Sequence, residues 1–303
     1  MNYEMFQLTL AEEVRRLIGK QDKVQIQQVQ KNNGIVFQAM SILTNGEKIS
    51  PVLYLEGFYQ RYQQGVPIAH LAKLVLAQYR ENKKNQNLDF TFFKHYEKVK
   101  DNIFCKIINS EKNRALLQSV PCRKILDLAI VCYYQVDQAL MKGAVIQIND
   151  QHIAVWEISE QELLNTAIAN TVRENPLEIQ SMTEMLDEML SLKEKDELGD
   201  FEEICASPMP MYIITNQRRM NGAICAFLPE YLEKAARVMQ GDFYILPSSI
   251  HECILVPAFA AFSPKELGEM VKDINDTQIE PQEVLSNHIY CYHTVSKTVT
   301  REA

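Results

Sequence analysis

The sequence has no apolar run approaching the roughly 20 residues that cross a bilayer as a helix, so neither a helical membrane protein nor a membrane partner is expected. Glycine (10) and proline (11) are too few among 303 residues for a collagenous or low-complexity chain. Seven cysteines, at positions 105, 122, 132, 205, 225, 253 and 291, form no CxxC pair, and an odd number cannot all pair within one chain. A reducing, cytoplasmic setting therefore fits them better than an exported one. The first residues, MNYEMFQLTLAEEVRRL, are polar and charged where the centre of a signal peptide is apolar. Missing too are a Walker A sequence, a GxGxxG loop and a GxSxG elbow, the strongest sequence signals for nucleotide binding and serine hydrolysis. No cofactor is implied.

What is present is enough apolar material for a core: 47% hydrophobic residues against 23% charged ones. The net charge of -8 is spread unevenly, because residues 1–120 hold 17 Lys/Arg against 11 Asp/Glu, and the remainder holds 14 against 28. Thr183 to Glu203 alone carries nine acids and two lysines, with Met185, Leu186, Met189, Leu190 and Leu192 partly at helical spacing. The expected organisation is an N-terminal α+β region (1–182), an acidic connector (183–208) and a C-terminal α+β region (209–303).

Periodicity supplies the elements. Phe6, Leu10, Val14 and Leu17 share one face of an N-terminal helix, and the alternating VQIQQVQ and IVFQAMSIL flank Asn32-Asn33-Gly34 as a hairpin. Pro67 opens a helix, Ser159 with Glu162 has capping-box spacing, Pro229 begins a helix that Gly241 ends, and Ser263 with Glu266 caps the last one. IFCKIIN, KILDLAIVCYYQV, MYIIT, GAICAFL and HIYCYHTVS read as strands, GAVIQI with HIAVWEI as a hairpin around Asn149-Asp150, and FYILP with CILVPA as another. Strands joined by tight turns cannot be parallel neighbours, which argues for antiparallel or mixed sheets. The fold class is α+β, with mixed or mainly antiparallel sheets and helices packed on their faces.

Between Gly222 and Tyr292, NGAICAFLPEYLEKAARVMQGDFYILPSSIHECILVPA and EVLSNHIYCY together resemble an uncharacterised bacterial family, a domain of unknown function found in gut anaerobes. The distinctive pieces are Leu246-Pro247-Ser248-Ser249-Ile250-His251-Glu252 and Glu283-Val284-Leu285-Ser286-Asn287. The resemblance implies a shared fold and a bacterial cytosolic setting, and it transfers no catalytic residue.

Candidate chemistry has to come from the residues. His251-Glu252 begins like a zincin motif, but position 255, where the second histidine belongs, is Leu, and Pro247 and Pro257 oppose the required helix. Ser248, Ser249, His251 and Glu252 nevertheless gather polar groups between two apolar strands. They form either a turn brace or, since imidazole titrates near neutrality, a hydrolase or small-ligand pocket. His288, Cys291 and His293 lie close together, yet strand alternation puts only Cys291 and His293 on one face, and no second compact ligand pair follows; no metal site is assigned. Cys105, Cys132, Cys225 and Cys253 sit in apolar runs as core residues. Between Lys73 and Lys124, twelve Lys/Arg against five acids interleave with Phe90, Phe92, Phe93, Tyr96 and Phe104. Lys83, Lys84, Lys94 and Lys98 are thus candidate phosphate contacts of a nucleic-acid surface, although the rings equally suit a core. The leading expectation is a noncatalytic interaction or regulatory protein with an unknown protein partner, ahead of an enzyme at His251-Glu252 and of nucleic-acid binding.

If residues 183–208 are a solvated connector, limited proteolysis of the native chain cuts first between Leu192 and Pro208. Cleavage elsewhere before that segment contradicts the assignment.

Overall fold

The computed structural model describes residues 1–19, 21–43, 50–83, 90–136, 144–184, 210–260 and 263–302. They form two compact units, one built from 1–90 with 136–144 and the other from 91–135 with 145–303.

In the first unit, α1 (Tyr3–Leu17) starts where the Asn2 side chain accepts the Met5 N–H. Three strands follow: β1 (Lys23–Gln30), β2 (Val36–Leu43) and β3 (Val52–Tyr54), antiparallel in that order. Asn33 (φ 60°) and Gly34 (φ 69°) turn the chain between β1 and β2, as the Asn-Asn-Gly sequence requires. Two helices close the unit, α2 (Glu56–Gln63) and α3 (Ile68–Lys83). Phe6, Leu10 and Val14 of α1 pack with Leu71, Val75 and Leu76 of α3 and with Ile42 and Leu53 of the sheet. One Glu56 oxygen accepts both the Tyr3 hydroxyl (2.9 Å) and the Gln38 N–H (2.8 Å), tying α1 and β2 to the start of α2.

The second unit begins with the short α4 (Tyr96–Val99) and a four-stranded antiparallel sheet: β4 (Ile103–Asn109), β5 (Cys122–Ile125), β6 (Leu128–Gln135) and β7 (Val145–Gln147). Strand β6 pairs with β4 along one edge, and β5 and β7 share its other edge. Helices α5 (Asp150–Trp156) and α6 (Glu160–Glu174) follow, with Ser159 capping α6 as its spacing predicts. Asn170 of α6 donates to the Lys100 and Ile103 carbonyls, and Thr171 accepts the Cys105 N–H, fixing this helix on β4. The remaining elements are β8 (Leu177–Ser181), β9 (Tyr212–Asn216), α7 (Pro229–Met239), β10 (Phe243–Leu246), β11 (Cys253–Pro257), α8 (Pro264–Thr277), β12 (Tyr290–His293) and β13 (Thr298–Arg301). Their six strands make one antiparallel sheet in the order β13-β12-β10-β11-β9-β8. Leu267 and Val271 of α8 cover Leu246, Val256 and Ile289 on one face.

The α+β class with antiparallel sheets is therefore present, and three local expectations change. HIAVWEI is helix α5 rather than a strand, because Asn149 and His152 form a reciprocal capping box and the polar pair taken for a turn is a helix start. GAICAFL is a 3-10 turn over Gly222–Ala226, buried on every side, where strand alternation carries no information. KILDLAIVCYYQV is the β5–β6 hairpin rather than one strand, because Leu126 (φ 55°) turns the chain inside the apolar run. The segment 183–208 lies between β8 and β9, which are ladder neighbours from Leu177↔Asn216 to Ser181↔Tyr212. Residues 185–208 of the acidic connector lie outside the described residues.

The two-residue tip of the β5–β6 hairpin sets the site's frame. Leu126 takes φ 55°, a conformation that side chains with a Cβ adopt only when neighbours enforce it. The next residue, Asp127, is 7% exposed. Its carboxylate accepts the Tyr290 hydroxyl at 2.9 Å on one oxygen and the Ser286 hydroxyl at 3.0 Å on the other. Burial first, and then the nearby carboxylate, pushes the Tyr290 phenol well above its usual range, which keeps it a donor. Nearby, Asn109 donates to the Leu285 carbonyl at 3.0 Å.

Tyr290→Phe leaves one buried Asp127 oxygen without its donor, so urea denaturation should show a loss of about 1–3 kcal/mol. An unchanged midpoint would mean that this hydroxyl carries no part of the fold.

Candidate functional site

The segments LPSSIHE and EVLSN, far apart in sequence, lie side by side. Ser249 bridges Val284 in antiparallel sense, the Ile250 N–H donates to the Glu283 carbonyl (2.8 Å), and the Leu285 and Ser286 N–H groups donate to the Ser248 and Pro247 carbonyls (3.4 Å each). Neither segment belongs to a long strand, so each supplies the partners that the other's buried backbone needs. Ser248 and Ser249 are both buried. The Ser249 hydroxyl accepts the His251 N–H at 3.1 Å and the Glu252 N–H at 3.3 Å, the hydroxyl-to-backbone turn that the sequence suggests. Glu252 enters this turn through its backbone N–H.

His251 joins a third segment, the loop that follows β9. Its Nδ1 accepts the Asn221 N–H at 3.2 Å, which makes Nε2 the protonated nitrogen of a neutral ring. Nε2 lies 3.6 Å from a Glu283 oxygen, with the two side chains 32% and 40% exposed. The His251 carbonyl accepts the Thr215 hydroxyl at 2.8 Å, and the Ile250 carbonyl accepts the Ala223 N–H at 3.3 Å. Asn221 (φ 53°) turns the loop inward so that Gly222 can approach. A Cβ at Gly222 would sit 2.6 Å from the His251 carbonyl oxygen and 2.8 Å from the Asn216 nitrogen. Only glycine fits that gap.

The basic region divides between the units. Lys83 sits at the end of α3 with its ammonium 5.5 Å from the Tyr79 ring centroid, and Lys84 lies outside the described residues. Lys94 and Lys98 are exposed in the second unit. Of the interleaved rings, Phe93 meets Tyr134 (5.2 Å), His152 (5.1 Å) and Trp156 (5.3 Å), and Tyr96 meets Trp156 (5.8 Å) and bonds Thr166. Trp156 Nε1 donates to the Phe93 carbonyl at 2.7 Å. Burial lowers the His152 pKa, so this imidazole favours its neutral form. These rings are engaged with α5 and α6 and are not a line of open stacking platforms.

Cys105, Cys132, Cys225 and Cys253 are buried. Burial pushes Cys105 up to about 11 and Cys225 up to about 12, so neither supplies a ready thiolate. Cys291, His293 and Glu302 stand apart from them, with one ligand atom from each within 4.8 Å of the others. Sequence spacing finds the first two and misses Glu302, because only the β12–β13 register brings it alongside.

His251→Ala removes the acceptor of the Asn221 N–H and should cost about 1 kcal/mol, since water reaches part of the ring. Gly222→Ala drives a methyl group into backbone and should cost about 2–3 kcal/mol, whereas Glu252→Gln should stay within about 0.5 kcal/mol. Equal melting temperatures for Gly222→Ala and the parent chain would contradict the packing of these three segments.

No curated protein and no solved structure matches the chain. A family of unknown function, DUF5688, matches residues 3–294, and the chain belongs to that family.

Proposed function

We propose that the chain is a noncatalytic interaction or regulatory module of the bacterial cytosol. The observation that carries this proposal is the engagement of His251: its Nδ1 already accepts a backbone N–H, and its own backbone is bonded on both sides. A general base needs a ring nitrogen open to the proton that it abstracts. Ser249, two residues before His251, accepts two backbone donors with its hydroxyl. The same groups that would make a catalytic cluster therefore hold three loops together, leaving exposed surface as the part available for a partner.

An enzyme at His251-Glu252, a hydrolase or another small-ligand enzyme, is the second proposal. It draws support from Nε2, which points toward Glu283 on the partly exposed side of the ring. Nucleic-acid binding through Lys83, Lys84, Lys94 and Lys98 draws on the exposure of Lys94 and Lys98 and is weakened by the packed rings beside them.

The test is recovery of the full chain from its native cells, with co-purifying protein and nucleic acid both identified. A protein recovered in fixed ratio to the chain, with nucleic acid at background, is the expected result. Recovery of nucleic acid that Lys94→Glu with Lys98→Glu abolishes, or turnover of a screened substrate that His251→Ala abolishes without lowering the melting temperature, would overturn the proposal.

A further inference from the structure

The six-stranded sheet ends in a hairpin whose outer positions collect metal-binding side chains. Cys291 and His293 are two apart on β12 and so share a face. Cys291 pairs with Thr300 of β13, and the Glu302 N–H donates to the Ile289 carbonyl, extending the ladder by one more bond. Thr300 and Glu302, again two apart, thereby fall on the face of Cys291 and His293. Register alone makes a thiol, an imidazole and a carboxylate converge, with ligand atoms within 4.8 Å of one another.

The orientation of the ring adds a second, independent observation. His293 Nδ1 faces an Asp242 oxygen at 3.4 Å, and that carboxylate is itself fixed by the Thr294 N–H at 2.8 Å and the Thr294 hydroxyl at 2.5 Å. The opposite nitrogen, Nε2, is 2.9 Å from the Thr300 hydroxyl, which donates to Glu302 at 2.6 Å. Nε2 therefore reaches Glu302 through the Thr300 hydroxyl, a contact that a cation would displace as Nε2 gives up its proton, while Nδ1 rests against a carboxylate. This is the arrangement that fixes a metal-binding histidine, with one nitrogen on the ion and the other held by an acceptor.

We infer that Cys291 Sγ, His293 Nε2 and a Glu302 carboxylate oxygen form a three-ligand site for one divalent cation of the zinc class, with Asp242 as the positioning residue behind His293. The donor set selects the ion. Thiolate and imidazole favour zinc or cobalt over magnesium or calcium, which prefer all-oxygen shells. Tetrahedral zinc places its ligand atoms about 3.5 Å apart, inside the 4.8 Å within which these three atoms lie, so side-chain rotation has to close the site. Cys291 closes the site from the buried side, and solvent completes the coordination from the side of Glu302. A bound cation would join β12 to the last residues of the chain. The inference is independent of the proposed function, since it uses none of the residues around His251.

The test uses the untagged full chain, stripped with a chelator and titrated with Zn2+ and, separately, with Co2+. One cation bound per chain is expected, and Co2+ should produce a sulfur-to-metal charge-transfer band. Glu302→Gln, at an exposed position, should weaken binding at least tenfold without changing the fold. Asp242→Asn should weaken it by about tenfold while the charge-transfer band survives, and Cys291→Ser should abolish that band. Cys122→Ser is the control and should bind as the parent does. Absence of binding by the folded parent chain, or parental affinity in Glu302→Gln, overturns the site even if Cys291→Ser fails to fold.

Discussion

A buried carboxylate has to be satisfied by donors, and in this chain those donors come from segments far from it in sequence. Asp127 projects from a two-residue hairpin tip and accepts one hydroxyl from Ser286 and one from Tyr290, about 160 residues away in the chain. Because Ser286 also accepts the His288 N–H, and Tyr290 begins β12, the single side chain fixes how the segment leading into β12 enters its sheet. The positive φ of Leu126 belongs to the two-residue hairpin tip, which presents Asp127 as its second residue. Unpairing either hydroxyl would leave a buried charge-bearing group short of a donor, which is costlier than losing an ordinary surface bond.

From that anchor the arrangement propagates outward. The segment containing Ser286 passes its backbone donors and acceptors to the LPSSIHE turn, and that turn passes His251 to the loop at Asn221-Gly222. Each contact answers the same physical demand, that buried N–H and C=O groups outside regular ladders find partners. Side chains that could do chemistry elsewhere are used here as acceptors: Ser249 for two amides, His251 for one. The LPSSIHE and EVLSN segments are complementary to each other in their backbone donors and acceptors.

Much of this was legible in the sequence, and the gaps have definite causes. Helix starts were readable because capping is local: Ser159 and Ser263 each bond a backbone N–H three residues on. The FYIL and CILV hairpin was readable from two short apolar runs, and it forms as β10 and β11. HIAVWEI failed because Asn149-Asp150 suits both a turn and a helix cap, and only packing chooses. GAICAFL failed because a wholly buried run has no polar phase to read. At the site, the polar cluster around His251 was visible, but its partners Asn221, Thr215 and Glu283 lie about 30 residues away in either direction, where no local rule reaches. Glu302 was missed for the same reason, as its approach to Cys291 exists only through strand register.

The central claim, that Asp127 secures one interlocked set of segments, is tested most directly by native-state hydrogen exchange on individual amides. The account predicts that the N–H groups of Asn221, Ile250, Leu285 and Ser286 exchange only through a common, large opening, with the same free energy as those of β6, and that Asp127→Asn lowers all four together. Fast, mutually unequal exchange at these four positions, unaffected by Asp127→Asn, would show them to be independent surface loops and would contradict it.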